Sequence, residues 1–364
     1  MLSKLKKRKL IYVSIIIILL IGLYGIKDYL TNLSFQNTRE YVDILAEKKA
    51  IQIQHELIVG LKIAKILSYS IEGQHERMYK FNALYRNSII SQIERVLKNY
   101  ENIFGLWMDF EPKVFDRIDP KNFIGFIGSD YTGRFIPYLY REDNNIEMEC
   151  VDLMALNDSG GDTSYYDLVE EYKKEIITNP YYYSYVHKHT NVLYEKYMIT
   201  VAHPIFYKNE FMGVVGVDFT LDLFQKIIES DNKYAFLDLH IILFSNDGTI
   251  VASNNKKHLE KKLSDIFYEK HPTLYYDILL HMIQNKDTIK TINKCIDSNK
   301  DSYLVFVPIK VGNIEQTWSL MLSMPKEKMT RDVMIFIRGF VFLIITISLM
   351  IFLKKDKGET NNKC

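Results

Sequence analysis

The two ends of the chain constrain its fold most. LIYVSIIIILLIGLYGI (10–26) follows LKKRK (5–9), and VMIFIRGFVFLIITISLMIFL (333–353) precedes KKDK (354–357). The first run has about 17 apolar or small residues and the second about 21, both within the range that crosses a bilayer as helix. A cleaved signal peptide also starts basic, but this first run is long and no small-x-small site follows it. Arg338 lies near one end of the second run, from where its stem can carry the charge to the interface. Both lysine clusters flank the runs on their outer sides, so the positive-inside rule predicts that both termini are cytoplasmic. The expectation is a two-pass protein of the cell (cytoplasmic) membrane. Residues 1–9 and 354–364 are inside, and residues from about 28 to 331 are outside. This is the topology of a transmembrane sensor, with a tail too short for an output domain.

The remaining composition narrows the function classes. Among 364 residues, 46 are basic and 45 acidic, a formal net charge of +1. That balance lacks the basic excess of a nucleic-acid binder. Cys150, Cys295 and Cys364 are far apart and form no C-x-x-C, which argues against a disulfide framework or a structural zinc site. There is no G-x-S-x-G elbow and no phosphate loop. SGGD (159–162) lacks the residues that would extend it into a cyclase motif and reads as a loop. His187 and His189 share one face of an extended segment, but with no third ligand nearby a surface turn is the simpler reading than a metal site. Glu147/Glu149 and Glu170/Glu171 read as solvated faces rather than acid–base pairs. No enzyme, no cofactor and no metal is expected.

Between the apolar runs the texture changes once. Up to about residue 98 there is no proline, and apolar residues recur at helical spacing (Ala46, Ala50, Ile53, Leu57, Leu61, Ala64, Leu67, Ile71, then Ile89, Ile93, Leu97). This predicts one long helix or two stacked ones, with a stripe suited to a core or a dimer seam. Short strands and turns follow. Strands are expected at 103–110, 133–141, 180–186, 196–207 and 211–219, with helices at 169–176 and 221–229. A second unit repeats the pattern: a hairpin at 239–253 turning at Asn246-Asp247-Gly248, a helix at 274–283, and strands from DTIKTIN, SYLVFVPIKV and QTWSLMLSM. Two copies of similar architecture predict an α+β chain with a duplicated plan.

One strand carries an anomaly. In FMGVVGVDFT (211–220) alternation places Met212, Val214, Gly216 and Asp218 on one face. Asp218 suits a cap for the following helix, a buried ion pair or a ligand. Gly216 leaves room beside it. Tyr138 and Tyr140 alternate on one strand, Tyr181 and Tyr183 on another, and Tyr165–Tyr166 precede a short helix. Rings around a carboxylate suit a cationic or NH-bearing ligand, and the bland alternative is that they simply pack.

The ordered segments GLWMDFEP, GRFIPYLYR, TNPYYY and ITVAHPIFYKNEFMGVVGVDFTLDLFQ, then ILFSNDGTIVASNN and WSLMLSMPKEKM, resemble the double-Cache sensor domain over about residues 30–330. PI-x(5)-F-x-GVVGVD is the most specific piece. The resemblance implies two PAS-like antiparallel-sheet modules on a long N-terminal helix, as in chemoreceptors and sensor kinases. It implies a homodimer and a ligand in the membrane-distal module. The expected divisions are a stalk helix (27–98), a distal module (99–230) and a proximal module (231–331). The pocket it implies comprises Trp107, Phe110, Phe135, Tyr138, Tyr140, Arg141, Tyr165, Tyr166, Tyr181, Tyr183 and Asp218. In amino-acid-binding members the aspartate at the Asp218 position grips the ligand ammonium. Those members place an arginine for the ligand carboxylate where this chain has Thr163, and an acid where it has Tyr183. GRFIPYLYR is similar instead to members that take amines, purines or related nitrogenous ligands, while Arg141 leaves a cation available for an anionic ligand. The expectation is a membrane-anchored sensor of a small amine, purine or amino-acid-like ligand that signals through the second span, with a cytoplasmic or membrane signalling partner. A non-enzymatic accessory or scaffold protein is the alternative, and a truncated receptor a third reading.

Overall fold

The computed structural model describes residues 2–77, 83–112, 114–115, 124–143, 145–150, 164–188, 190–230, 238–267, 287–294 and 300–360. Helix α1 runs from Leu2 to Arg77 and α2 from Ala83 to Asn99. At 1.5 Å per residue α1 is about 114 Å long. Its apolar stripe is the one read from spacing: Ala46, Ile53, Leu57, Leu61, Ala64, Leu67 and Ile71 are all buried. Its first part is apolar and exposed instead, at Ile11, Ile15, Ile18 and Ile21. This segment and a C-terminal helix are the two described helices long and apolar enough to cross a membrane.

Twelve strands among the described residues form two antiparallel sheets. The first contains β1 (Gly105–Phe110), β2 (Pro137–Glu142), β3 (Asn145–Cys150), β4 (Ile176–Ile177), β5 (Tyr181–Val186), β6 (Leu193–Tyr207) and β7 (Glu210–Thr220). Its order is β3-β2-β1-β7-β6-β4, with β5 also paired to β6. Helix α3 (Ser164–Tyr172) lies between β3 and β4 in sequence, and α4 (Leu221–Glu229) follows β7 without a break. The second sheet, in the order β10-β11-β12-β8-β9, contains β8 (His240–Phe244), β9 (Ile250–Ser253), β10 (Ile289–Lys294), β11 (Asp301–Ile309) and β12 (Trp318–Pro325). The short α5 (Leu263–Phe267) follows β9, and α6 (Lys326–Met329) leads from β12 into α7 (Arg331–Thr360).

The expected architecture is therefore present, with local differences. The helix expected at 169–176 sits earlier, at α3, and Lys173 at φ 52° closes it. Strand β3, missed because NIEMEC alternates acids with apolar residues, pairs fully along β2. The helix expected at 274–283, Cys295, SGGD and His189 lie outside the described residues.

Strand alternation separates two environments across the first sheet. Leu106, Met108, Leu139, Ile199, Val201, Val215, Val217 and Phe219 face the core shared with α1. Trp107, Tyr138, Tyr140, Met198, Ala202 and Val214 face the other way, towards α3 and β5. Helix α1 touches both sheets. The Ser68 hydroxyl donates to the Pro204 carbonyl at 3.0 Å and the Gln54 amide to the Lys310 carbonyl at 2.7 Å. Helix α4 sits between the sheets. Gln225 bonds both main-chain groups of Ser253, and Phe224 meets Trp318 edge to face at 5.4 Å. Buried Lys49 of α1 donates to the Ile227 carbonyl at 2.6 Å, where the C-terminal carbonyls of α4 lack helical partners.

Candidate functional site

Asp218 pairs in register with Gly105 on one side and Thr200 on the other, so three neighbouring strands converge on its carboxylate. It is 1 % exposed. Trp107 Nε1 donates to Asp218 Oδ1 at 3.1 Å, and Thr200 Oγ1 donates to the same oxygen at 2.7 Å. The Tyr181 hydroxyl bonds the Thr200 hydroxyl at 2.7 Å, extending the chain of bonds into β5. Among the described residues no cation forms an ion pair with Asp218. Burial therefore pushes its carboxyl up to about 7, while the Thr200 and Trp107 hydrogen bonds pull it down. The cap role is not made. Thr220, not Asp218, is the N-cap of α4, and no side chain caps that helix.

Glycines make the arrangement possible by close approach. A Cβ at Gly216 would lie 2.0 Å from the Trp107 ring. The space expected there for a ligand is thus filled by the indole that donates to Asp218. A Cβ at Gly105 would lie 2.6 Å from the Tyr138 hydroxyl and 2.9 Å from Asp218 Oδ2, so Gly105 is the residue that opens the second carboxylate oxygen. The buried Tyr138 hydroxyl lies against the same carboxylate and, with Thr200 and Trp107, pulls its pKa down.

Around this group lies a cavity of about 30 Å³, bounded by Trp107, Asp109, Ile136, Tyr138, Tyr165, Tyr181, Tyr183, Met198 and Asp218. That is room for about one water molecule. Its cover is aromatic. Tyr165 meets Trp107 edge to face at 5.1 Å and stacks on Tyr181 at 5.8 Å, while Tyr183 meets Tyr138 at 5.2 Å. The Tyr183 hydroxyl donates to Glu149 Oε2 at 2.9 Å, tying β5 across to β3. The tyrosines pack on one another.

Six of the expected residues, Trp107, Tyr138, Tyr165, Tyr181, Tyr183 and Asp218, bound one cavity. Two more are adjacent. Tyr140 stacks behind Tyr138 at 5.3 Å, and the Tyr166 hydroxyl donates to Glu111 beside Arg134. Three are elsewhere. Phe110 and Phe135 are on the opposite face of the sheet, stacked at 5.8 Å and packed with Phe115, because Phe110 is odd-numbered from Trp107 in the alternation. Arg141 supplies no cation to the pocket. Its guanidinium donates to the carbonyls of Ile103 at 2.8 Å and Tyr100 at 3.0 Å, and to that of Leu97, closing the end of α2. Sequence reading missed Thr200, Ile136, Met198 and Asp109. Thr200 was visible as the polar residue on the inward face of β6, and Asp109 as an acid in a strand otherwise free of charge. His187 donates to or accepts from Asp143 at 3.1 Å. Among the described residues no group of three or more His, Cys, Asp or Glu is placed to hold a metal. Thr163 lies outside the described residues.

Comparison with known proteins agrees with the fold that carries this site. Residues 89–226 match the first PDC sensor domain of methyl-accepting chemotaxis protein-like proteins. The methyl-accepting chemotaxis protein TlpQ of Pseudomonas aeruginosa is 21 % identical over 316 residues, covering 83 % of this chain. The chain spans 42 % of the length of that curated relative. The extracellular domain of mmHK1S-Z3 superposes with a TM-score of 0.63 at 23 % identity, covering 83 % of this chain and 97 % of its own. The periplasmic sensory domain of the Campylobacter jejuni chemoreceptor Tlp1 does so with 0.61 at 18 %, covering 81 % and 98 %. At these identities the superpositions establish the fold.

Proposed function

We propose that this chain, a double-Cache sensor protein whose residues 89–226 carry a chemoreceptor-type first PDC domain, binds a small nitrogen-containing ligand at Asp218. The observation that carries this reading is a carboxylate, 1 % exposed and without a cationic partner among the described residues, on the wall of an aromatic cavity. Burying an uncompensated carboxylate is costly. A ligand ammonium or NH group supplies the missing partner, and the surrounding rings favour a cation by their electron-rich faces. Amines, purines and atypical amino acids share this chemistry. The chain acts as a non-enzymatic sensor, the sensory part of a chemoreceptor-type or kinase-type system.

A cavity of about 30 Å³ is smaller than any of these ligands, so binding requires the cover formed by α3 and β5 to move off the sheet. Strand β7 passes directly from Asp218 into α4, which touches the second sheet through Gln225 and Phe224. Strand β12 of that sheet continues through α6 into α7. Ligand-dependent repacking of the first module is thereby biased towards the second apolar helix. In this reading 10–26 and 333–353 are the two spans, 27–98 is the stalk, 99–230 the membrane-distal ligand module and 231–331 the proximal module. Exposed Ile44 and Ile51, one heptad apart on α1, favour a homodimer along the stalk.

The test is a thermal-shift screen of the full chain in detergent against amines, purines and amino acids, beside Asp218→Ala. The reading predicts hits that stabilise the wild type and leave the variant unmoved. Equal stabilisation of both would remove Asp218 as the anchor.

A further inference from the structure

A second cavity lies at the other end of the molecule, where the two apolar helices meet the folded modules. It measures about 470 Å³, within the range of small-molecule sites. Thr31, Asn32 and Phe35 of α1, Ile292 of β10, and Lys326 and Thr330 at the α6–α7 joint bound it, with Glu327 at its edge. The Ser34 hydroxyl donates to the Met329 carbonyl at 2.7 Å and holds α1 against this joint. Thr31 stands five residues beyond the apolar run 10–26, and Thr330 three before the run 333–353. At 1.5 Å per residue these are offsets of about 7.5 and 4.5 Å along the helices. The headgroup layer of a bilayer occupies about 5–8 Å outside the hydrocarbon on each side. The groove is therefore at headgroup height. Tyr24 and Tyr29, 70 % and 68 % exposed, mark the same boundary, as interfacial aromatic residues do.

The polar wall of this groove consists of donors with little to bind. Thr31 Oγ1 is buried and has no hydrogen-bond partner among the described residues, although a helical threonine can bond back to the preceding turn. The Thr330 hydroxyl makes one long bond, 3.5 Å, to the Lys326 carbonyl. Three neighbouring lysines are neutralised: Lys300 by Glu327, Lys294 by Asp301 at 2.7 Å and Lys328 by Asp238 at 2.5 Å. Half-buried Lys326 forms no ion pair among the described residues. The charge left over on the wall is thus positive.

We propose that the groove binds the phosphate of an anionic phospholipid of the outer leaflet, with Lys326 as counter-ion and Thr31, Asn32 and Thr330 as donors. The proposal rests on the reading of 10–26 and 333–353 as spans and is independent of the Asp218 ligand. Charge-assisted bonds to phosphate oxygens supply the missing partners. Phe35 and Ile292 give an apolar wall for the glycerol and first methylenes. Free phosphate offers the same oxygens, but the height of the groove favours the lipid. A headgroup bound there ties α1 to the joint through which β12 enters α7.

The full chain in maltoside detergent is titrated with short-chain phosphatidylglycerol, phosphatidylcholine of the same chain length and inorganic phosphate, and bound lipid is counted by native mass spectrometry. The wild type is expected to hold one phosphatidylglycerol per chain at least about tenfold more tightly than phosphatidylcholine. Lys326→Gln should bring the two lipids within about twofold. Thr31→Val should weaken phosphatidylglycerol without lowering the lipid-free Tm, because the lost hydroxyl has no partner there. Lys328→Gln removes a paired lysine that does not bound the groove and should keep the preference. Equal affinity for the two lipids in the wild type, a preference that survives Lys326→Gln, or an equal loss in Lys328→Gln overturns the site. Displacement of phosphatidylglycerol by equimolar inorganic phosphate overturns the lipid as its source. Alkaline carbonate extraction of membranes tests the spans separately. A released chain contradicts the two-span reading, whereas a retained chain with no lipid preference contradicts this site alone.

Discussion

Trp107 Nε1 donates to Asp218 Oδ1 at 3.1 Å across adjacent strands, and the indole occupies the space that the missing Cβ of Gly216 leaves. The pocket floor is thus built from three positions whose side chains cannot be exchanged independently. Gly216 admits the ring, the ring holds the acid, and the acid faces the cavity.

Gly216→Ala should therefore be disruptive well beyond its size. The added methyl meets the Trp107 ring at 2.0 Å, and Trp107 must shift. We expect a loss of about 1–3 kcal/mol in unfolding free energy, the usual range for overpacking a core. Ligand binding should be lost with it. Chemical denaturation and titration of the variant check both outcomes.

Asp218→Asn should separate stability from function. The amide oxygen keeps the Thr200 and Trp107 hydrogen bonds, and the buried charge disappears. Because the folded carboxyl is raised to about 7, it binds a proton that the unfolded chain has already released between about pH 4 and 7. Stability from this group is complete below pH 4 and is lost as pH rises to about 7. The variant should therefore unfold at a higher temperature than the wild type at pH 8, with the difference vanishing near pH 4.

The same group sets the pH profile of binding. A cationic ligand requires the carboxylate form, so affinity should rise with pH and level off above about 7. At pH 5.5 only a few per cent of the group is ionised, which implies roughly thirtyfold weaker binding than at pH 8. Calorimetric titrations across that interval measure it, and Asp218→Asn should give a flat profile.

Arg141→Gln should behave oppositely to the pocket variants. The guanidinium closes main-chain carbonyls at the end of α2, and losing it leaves them without those donors. A destabilisation of about 1–3 kcal/mol is expected, with ligand selectivity unchanged.

Much of this was legible from residue order. Alternation in FMGVVGVDFT placed Asp218 and Gly216 on one face, and helical spacing marked the buried stripe of α1. Alternation alone would also have excluded Phe110, which sits on the other face of β1 from Trp107. What spacing could not supply was lateral register. Only the pairing of β1, β6 and β7 shows that Thr200 and Trp107 meet at one oxygen of Asp218, that Gly216 serves Trp107 rather than a ligand, and that Gly105 opens the other oxygen. Arg141 misled for a related reason: a cation in a pocket-lining segment points to a ligand until the carbonyls it caps are located. Strand β3 was hidden because a half-buried edge strand tolerates the acids Glu147 and Glu149, which are paired with Lys188 and the Tyr183 hydroxyl.

The most direct measurement uses Trp107 itself as the reporter. The chain has two tryptophans, so Trp318→Phe leaves Trp107 as the sole indole emitter, in contact with the proposed anchor. Titrating the best-stabilising nitrogenous ligand into this variant should give a saturable change in emission at one site per chain. The change should be absent in Trp318→Phe/Asp218→Asn over the same concentrations. A titration of equal amplitude and midpoint in both proteins would contradict the account.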